Sequence, residues 1–239
     1  MKIIIIGCGK VGLTLAELLS AEKHDVVLID ESSQKLSSIP EELDALRILG
    51  NGASVSASIG GKCVDTSMGL TPLEGLIMGT RSGDVDPAVV QFICNKEGID
   101  INEMLNILNK KSGMLGMTGI SSDYRDVSAA AEAGNQDAIN CLEAYAYRII
   151  KYIGSYIAAM GGVDVITFTA GLGENAIPLR ETICKAFEFM GLEFDSEANN
   201  CRGVEKIITK EGSKITACVI PTNEEIAICE ETVELVKGK

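Results

Sequence analysis

The sequence lacks three features that would mark particular classes of protein. It has 21 Lys and Arg against 34 Asp and Glu, a formal net charge of −13, and this disfavours nucleic-acid and membrane-surface partners because both need a basic face. No apolar run approaches the roughly 18 residues of a membrane-spanning helix. The eight cysteines are scattered without a Cys-x-x-Cys pair, as is typical of reduced thiols. We therefore expect a cytoplasmic protein with no nucleic-acid partner and no membrane span.

A glycine-rich turn lies close to the start of the chain. The β-branched run Lys2–Ile6 predicts a buried strand, residues 13–21 have helical composition, and 25–29 predict a second strand. Between the first strand and the helix stands G-x-G-x-x-G, and an acidic residue follows about 20 positions on, as a dinucleotide-binding βαβ unit requires. The predicted dinucleotide-binding residues are Gly7, Gly9, Gly12 and Asp30.

Residues 1–50 complete only part of such a domain. A helix over 33–43 and a strand over 45–49 are predicted next, and then the pattern ends. The segment resembles the start of the NAD-binding domain of Trk-type potassium-uptake regulators, which implies that the four residues bind NAD. Because a doubly wound domain needs further βα units, the alternative is a glycine loop that serves as architecture without a competent dinucleotide site.

The pattern changes after residue 54. Short antiparallel strands are predicted at 55–59 and 62–65, and 71–86 is rich in glycine, proline and charge, which is typical of a functional loop rather than of core. The apolar stripe of 137–160 predicts a core or dimer-interface helix, and 171–175 a glycine-rich turn. Further helices are predicted at 87–98, 102–111, 123–134, 176–190 and 222–236, a buried strand at 163–169 and a last strand at 214–220.

Six collinear stretches in this part carry a second resemblance. They are Leu-Gly-Asn-Gly-Ala-Ser at 49–54, Val-Asp-Thr-Ser-Met-Gly at 64–69, the segment 71–84, Gly-Ile-Ser-Ser-Asp-Tyr-Arg-Asp at 119–126, Gly-Leu-Gly-Glu-Asn at 171–175 and Pro-Thr-Asn-Glu-Glu at 221–225. Residues 48–239 resemble the C-terminal, nucleotide-binding half of an acetate kinase. The resemblance implies an α/β fold in which an actin-like ATPase (ribonuclease H-like) lobe follows the truncated Rossmann-type β-α-β-α-β unit.

The same resemblance implies a site for ATP or ADP with Mg²⁺. It makes Arg81 the catalytic cation that stabilises charge on the transferred phosphoryl group, and Glu224 the carboxylate associated with Mg²⁺. The implied nucleotide-binding residues are Leu49, Gly50, Asn51, Gly52, Asp123, Tyr124, Arg125, Gly171, Leu172, Gly173, Glu174 and Asn175. Such parts suit phosphoryl transfer, which is catalysed by positioning and electrostatics.

Three of these assignments have a structural alternative. Gly50-Asn51-Gly52 suits a tight turn between strands, since Gly and Asn tolerate positive φ. Arg125 could form a surface ion pair. Glu224 could simply be an acidic residue favoured by the dipole at a helix N-terminus.

Two departures from the family pattern bear on function. Position 48, usually His in this family, is Ile48, and the single histidine, His24, lies in the Rossmann-type segment. The family's N-terminal lobe, which carries the acetate-binding groups, is not matched. The prediction is therefore a phosphotransferase of the acetate-kinase type (ATP + acetate to ADP + acetyl phosphate), inactive in this form and homodimeric through its C-terminal lobe. The alternatives are an NAD-binding regulatory subunit of potassium uptake, or a chimeric gene product without selected function.

Overall fold

The computed structural model describes three strands near the start of the chain, all of residues 52–222, and Val233. The chain divides into two compact units, Met1–Ala53 and Ser54–Lys239.

The first unit contains a parallel three-stranded sheet. Its strands are β1 (Lys2–Ile6), β2 (Asp25–Asp30) and β3 (Ala45–Leu49), in the order β1-β2-β3. The three predicted strands are therefore confirmed, and β2 pairs in parallel with both of the others. The helices predicted at 13–21 and 33–43 lie outside the described residues.

The second unit begins with an antiparallel hairpin. Strands β4 (Ser56–Ile59) and β5 (Lys62–Thr66) are joined at Gly60 and Gly61, whose φ angles are 56° and 76°. Positive φ at both central residues is the requirement of a type I′ turn, which only residues such as glycine meet without strain. The predicted hairpin is confirmed.

Five helices follow, and four of them begin at a side-chain cap. Asp86, Asp100, Asp123 and Asn135 accept a hydrogen bond from a backbone N–H of the first turn, which satisfies donors that a helix start leaves unpaired. The predicted helices are confirmed to within one or two residues, and a short glycine-containing helix, α3, was not predicted. The five are α1 (Pro87–Glu97), α2 (Ile101–Lys110), α3 (Gly113–Thr118), α4 (Tyr124–Glu132) and α5 (Gln136–Met160).

Helix α5 is the centre of this unit. Its buried stripe includes Tyr145, Ile149 and Ile157, and it packs against α3, α4, β4 and α7 (Ile177–Lys185). The stripe was predicted as core or dimer interface, and the structure places it in the core. Although α5 is long, no helix among the described residues is apolar enough over a sufficient length to cross a membrane.

A second, mixed sheet follows α5. Strand β6 (Val165–Phe168) is parallel to β8 (Thr216–Val219), and β7 (Lys206–Ile207) is antiparallel to β8. The expectation that β6 is buried throughout was wrong, since its residues alternate and only Ile166 and Phe168 are buried. One sheet face therefore faces the core, as in a half-buried strand.

Two other expectations were also wrong in part. Residues 171–175 form a short helix, α6 (Ala170–Asn175), rather than a turn. The helix expected over 176–190 is shorter: α7 ends at Lys185 and a 3₁₀ turn covers Glu188–Met190. One more short helix, α8 (Ser196–Asn199), lies before β7.

The segment 71–86 was expected to be a functional loop rather than core; it contains no helix or strand, as expected of a loop, but its middle is buried. Leu76, Ile77 and Met78 are 2%, 8% and 1% exposed. Its glycines explain how a loop contributes to the core: Gly75 and Gly83 have φ angles of 105° and 70°, a conformation open to glycine, and they let the main chain turn so that three consecutive apolar side chains point inward.

Candidate functional site

The carboxyl ends of β6 and β8 lie side by side. The two strands are parallel and in register from Val165–Thr216 to Phe168–Val219. Helix α6 follows β6, and residues 220–222 follow β8, so both motif stretches leave the same edge of the sheet. In α/β proteins ligands bind outside the carboxyl ends of parallel strands.

A side chain of α6 joins the two stretches. Glu174 Oε1 accepts hydrogen bonds from Thr222 N at 2.9 Å and from Thr222 Oγ1 at 3.1 Å. The Gly-Leu-Gly-Glu-Asn and Pro-Thr-Asn-Glu-Glu motifs, 48 residues apart in sequence, thus meet in space. Glu224 itself lies outside the described residues, two positions beyond Thr222.

Helix α6 is short and tightly placed. Ala170, at its start, has a φ of 57° and is the one non-glycine residue with positive φ in the described part of the chain. A Cβ on Gly173 would lie 3.0 Å from the carbonyl carbon of Phe168, so glycine lets the helix lie close to the end of β6. Asn175 Nδ2 donates to Gly171 O at 2.9 Å, which closes the turn on itself.

A buried arginine lies behind α6. Arg180, on α7, is 0% exposed, and its Nη1 donates to Gly173 O at 2.8 Å. Its other donors bond Asn199 Oδ1, Asn199 O and Cys201 O at 2.8, 2.9 and 2.7 Å. No carboxylate pairs with it among the described residues. Desolvation lowers the pKa of Arg180 from its usual range, and burial raises the pKa of the neighbouring Cys184 thiol to about 12.

The second predicted nucleotide segment caps α4. Asp123 accepts from Arg125 N at 2.8 Å, and Arg125 Nη2 donates to Asp123 Oδ2 at 2.6 Å. The hydrogen bond from the Arg125 side chain holds the pKa of Asp123 below its usual value. The Arg125 side chain is 87% exposed, so Arg125 forms a surface ion pair with Asp123.

Tyr124, between them, is partly buried. Its ring centroid lies 6.1 Å from that of Tyr145 on α5, with the rings tilted by 55°. Desolvation raises the pKa of the Tyr124 hydroxyl. The ring contact fixes the start of α4 against the central helix, and leaves Asp123 and Arg125 on the outer side.

Arg81 lies in a turn that α3 closes. Met78 N donates to Arg81 O at 3.0 Å, and the N–H groups of Met114, Leu115 and Ser112 donate to the carbonyls of Met78, Gly79 and Thr80 at 2.9 to 3.0 Å. The unpaired N–H groups that a helix start presents are thus satisfied by the turn. The guanidinium itself lies 3.5 Å from Met78 Sδ.

Asp84 anchors the same turn to α5. Its Oδ1 accepts from Gly75 N at 2.8 Å, and its Oδ2 accepts from Arg148 Nη1 at 2.7 Å and Tyr152 Oη at 2.8 Å. Desolvation, with a smaller contribution from this bond, raises the pKa of the Tyr152 hydroxyl. Both ends of the Arg81 turn are therefore fixed, one by α3 and the other by α5.

The described contacts connect these segments through α5 rather than directly. The helix packs against α3, beside the Arg81 turn; against α4, which carries Asp123–Arg125; and against α7, behind α6. Within residues 52–222, no hydrogen bond joins the Arg81 turn to α6. The structure thus assembles the segments on one helix, and brings two of the motifs into contact.

The remaining predicted residues are described in part or not at all. Asp30 and Leu49 are register partners at the ends of β2 and β3, and a Cβ added at Gly52 would meet no described atom within 4 Å. The predicted residues outside the described part of the chain are Gly7, Gly9, Gly12, Gly50, Asn51 and Glu224. Among the described residues no cluster of three metal-binding side chains occurs.

Sequence reasoning missed Arg180 and Asp84. Arg180 shares a helical stripe with Ala176, Ile183, Cys184 and Phe187, all buried. The sequence signal that could have identified Arg180 is a charged residue at i, i+4 spacing within an apolar helical stripe, which indicates a buried cation. Asp84 gave none, because its partners Arg148 and Tyr152 are 64 and 68 residues away in sequence.

The family model that matches the chain is that of the acetokinase family, over residues 28–230. Among curated relatives, acetate kinase of Lachnoclostridium phytofermentans is 60% identical over 188 residues, which are 79% of this chain and 48% of the relative. Acetate kinase of Halothermothrix orenii is 53% identical over 212 residues, 88% of this chain and 53% of the relative. The chain spans about half the length of the curated relatives it matches.

Solved structures match a similar share of this chain and about half of their own length. Acetate kinase of Porphyromonas gingivalis superposes with a TM-score of 0.75 at 50% identity, over 78% of this chain and 47% of the other. A propionate kinase of Francisella tularensis superposes with a TM-score of 0.68 at 34% identity, over 91% and 53%. The expected α/β fold is confirmed as that of acetate kinases, of the actin-like ATPase family. The resemblance of residues 1–50 to potassium-uptake regulators stays a prediction, and the family match begins upstream of residue 48.

Proposed function

The chain belongs to the acetokinase family, and from this premise we propose that residues 48–239 are the nucleotide-binding lobe of a phosphotransferase of the acetate-kinase type. The proposed ligands are ADP and ATP with Mg²⁺. The whole reaction, in which ATP phosphorylates acetate, is the activity proposed for the complete two-lobed enzyme. We further propose that the lobe self-associates as a homodimer, as the resemblance implies.

One observation carries the nucleotide assignment. The hydrogen bonds from Thr222 to Glu174 hold the 171–175 and 221–225 motifs together at the carboxyl edge of β6 and β8. That edge is where α/β sheets bind nucleotides. The two stretches are those to which the resemblance assigns the adenosine end and the metal-associated carboxylate.

The roles of the chain's own residues follow from the chemistry of phosphoryl transfer. Arg81 would place a guanidinium beside the transferred group, where a forked donor suits phosphate oxygens. Its turn is fixed by α3 and by Asp84, so the cation is held on a rigid support. Mg²⁺, when bound, neutralises charge on the phosphates; Glu224 would hold it, and a single carboxylate with nucleotide phosphates is an ordinary Mg²⁺ site.

We expect the chain to bind Mg-ADP with a dissociation constant between about 1 μM and 1 mM, because closure of a second lobe normally adds affinity. Isothermal titration calorimetry measures this directly. Glu174→Ala removes the acceptor of both Thr222 hydrogen bonds and should weaken binding, by about tenfold. Glu181→Ala, in an exposed pair with Lys185 on α7, is the matched glutamate control and should bind like the parent. Absence of heat from a folded protein at high concentration would overturn the proposal.

A second candidate ligand is NAD, favoured by the parallel β1-β2-β3 order of the first unit. We propose that its binding is no tighter than about 1 mM, because one half of a Rossmann fold supplies no surface for the nicotinamide end. A thermal-shift titration with NADH should therefore show no stabilisation at low micromolar concentration. Stabilisation by several degrees that Gly9→Trp abolishes would contradict this and favour the regulatory alternative.

A further inference from the structure

Arg180 is a buried cation whose partners are all neutral. The guanidinium is fully buried and donates to four oxygens: three backbone carbonyls and one amide oxygen. Burying a charge costs free energy unless it is well hydrogen-bonded. A leucine in its place would fill the same stripe without that cost, so the arginine is not explained by packing alone.

The geometry of its bonds gives the reason. Gly173 is in the last turn of α6, where carbonyl groups lack partners within the helix, and Nη1 supplies one at 2.8 Å. The other three bonds go to Asn199 at the end of α8 and to Cys201 just beyond it. The planar fork therefore fastens α6 to the α8 segment through a single side chain.

Asn199 completes the arrangement. It is 1% exposed, its Oδ1 accepts from Arg180 Nε, and its Nδ2 donates to Ile177 O at 3.1 Å. Ile177 is the first residue of α7, next to the end of α6. The junction between α6 and α7 is thus held from both sides, by Arg180 at Gly173 and by Asn199 at Ile177.

We propose that Arg180 is a positioning residue for the nucleotide: it fixes the Gly173 carbonyl, and with it the orientation of α6 against which the adenosine end binds. This rests on the proposed function. Arg180 lies behind α6 and does not touch the ligand. Lysine should not replace it, since a point ammonium cannot reproduce the fork that spans Gly173, Asn199 and Cys201.

The test compares Arg180→Lys and Arg180→Met with Met104→Ala, a buried control on α2. Two quantities are measured in each: Mg-ADP affinity by calorimetry, and amide hydrogen exchange over 170–176 relative to the centre of α5. We expect both Arg180 variants to lose affinity about tenfold or more, as for one charged hydrogen bond. Exchange over 170–176 should rise by a similar factor. Met104→Ala should lower overall stability, whereas its Mg-ADP affinity and its exchange ratio should equal those of the parent.

Unchanged affinity and unchanged relative exchange in Arg180→Lys would overturn the proposal. If neither Arg180 variant folds, Asn199→Ala is compared with Asn199→Asp. The alanine removes an acceptor of Arg180 and the bond to Ile177 O, whereas the aspartate keeps the acceptor and loses only the bond to Ile177 O. We expect the contrast, at smaller amplitude, in Asn199→Ala and not in Asn199→Asp; the same result in both variants overturns the proposal. If the unaltered chain binds no Mg-ADP, the proposed function fails, whereas the exchange ratio still decides whether Arg180 holds α6 in place.

Discussion

Gly113→Ala is expected to lower the free energy of unfolding by about 2 to 5 kcal/mol, which combines about 1–2 for a left-handed backbone and about 1–3 for overpacking. Gly113 has a φ of 60°. A Cβ there would contact the carbonyl oxygen of Met78 and lie 2.7 Å from that of Arg81. Because both neighbours are backbone atoms of the turn that carries Arg81, the turn must move to accommodate the methyl group.

Gly119→Ala is the matched control, at the opposite end of the same helix. Its φ is 65°, and a Cβ there would meet nothing within 4 Å. Gly119→Ala should lower the free energy of unfolding only by the cost of a left-handed backbone at alanine, about 1–2 kcal/mol. Urea denaturation of both variants measures the difference. Equal losses of stability in the two variants would mean that the Arg81 turn moves without a measurable cost in free energy. The α3 contacts would then not hold Arg81 in place.

The sequence predicted the helix starts and the hairpin turn, which depend on a few neighbouring residues. Asp86-Pro87 predicted the start of α1, Asp123 that of α4, and Gly60-Gly61 the hairpin turn. These signals act over a few residues: a capping side chain reaches a backbone N–H two or three positions ahead, and a glycine pair supplies positive φ where the hairpin needs it. For this reason the element boundaries were nearly correct.

Two local features were misread because the sequence pattern was ambiguous. Glycine-rich motifs suggested a turn at 171–175 and a loop outside the core at 71–86, where the structure has α6 and a loop whose residues 75–79 are buried. In both places glycine permits close approach of backbone segments, at Gly173 and at Gly75. Composition cannot distinguish glycine that loosens a chain from glycine that lets it pack tightly.

Contacts between segments that are distant in sequence could not be predicted from the sequence alone. The Asp84 network and the Glu174–Thr222 contact join residues 48 to 68 positions apart. Their existence depends on how α5 and the β6–β8 pair place the segments. The motifs identified which stretches carry function, and the fold determines which of them meet.

The largest kinetic effect concerns the reaction itself: the 239-residue chain, assayed alone, is expected to form acetyl phosphate at least five decades more slowly than a complete kinase. Arg81 can stabilise charge only when an acceptor is held in line with the γ-phosphorus. By resemblance, the groups that hold acetate lie in the half of the relatives that this chain does not match. Positioning contributes roughly 7–11 kcal/mol to such reactions, and about 7 kcal/mol corresponds to about five decades of rate.

A hydroxamate assay with ATP, Mg²⁺ and high acetate measures this rate, with a full-length curated relative as the positive control. The Arg81→Ala variant sets the background, since it removes the proposed charge stabiliser while leaving the 171–175 motif intact. Turnover of about 1 s⁻¹ or more, the low end for kinases, abolished in Arg81→Ala, would show the proposed inactivity to be wrong.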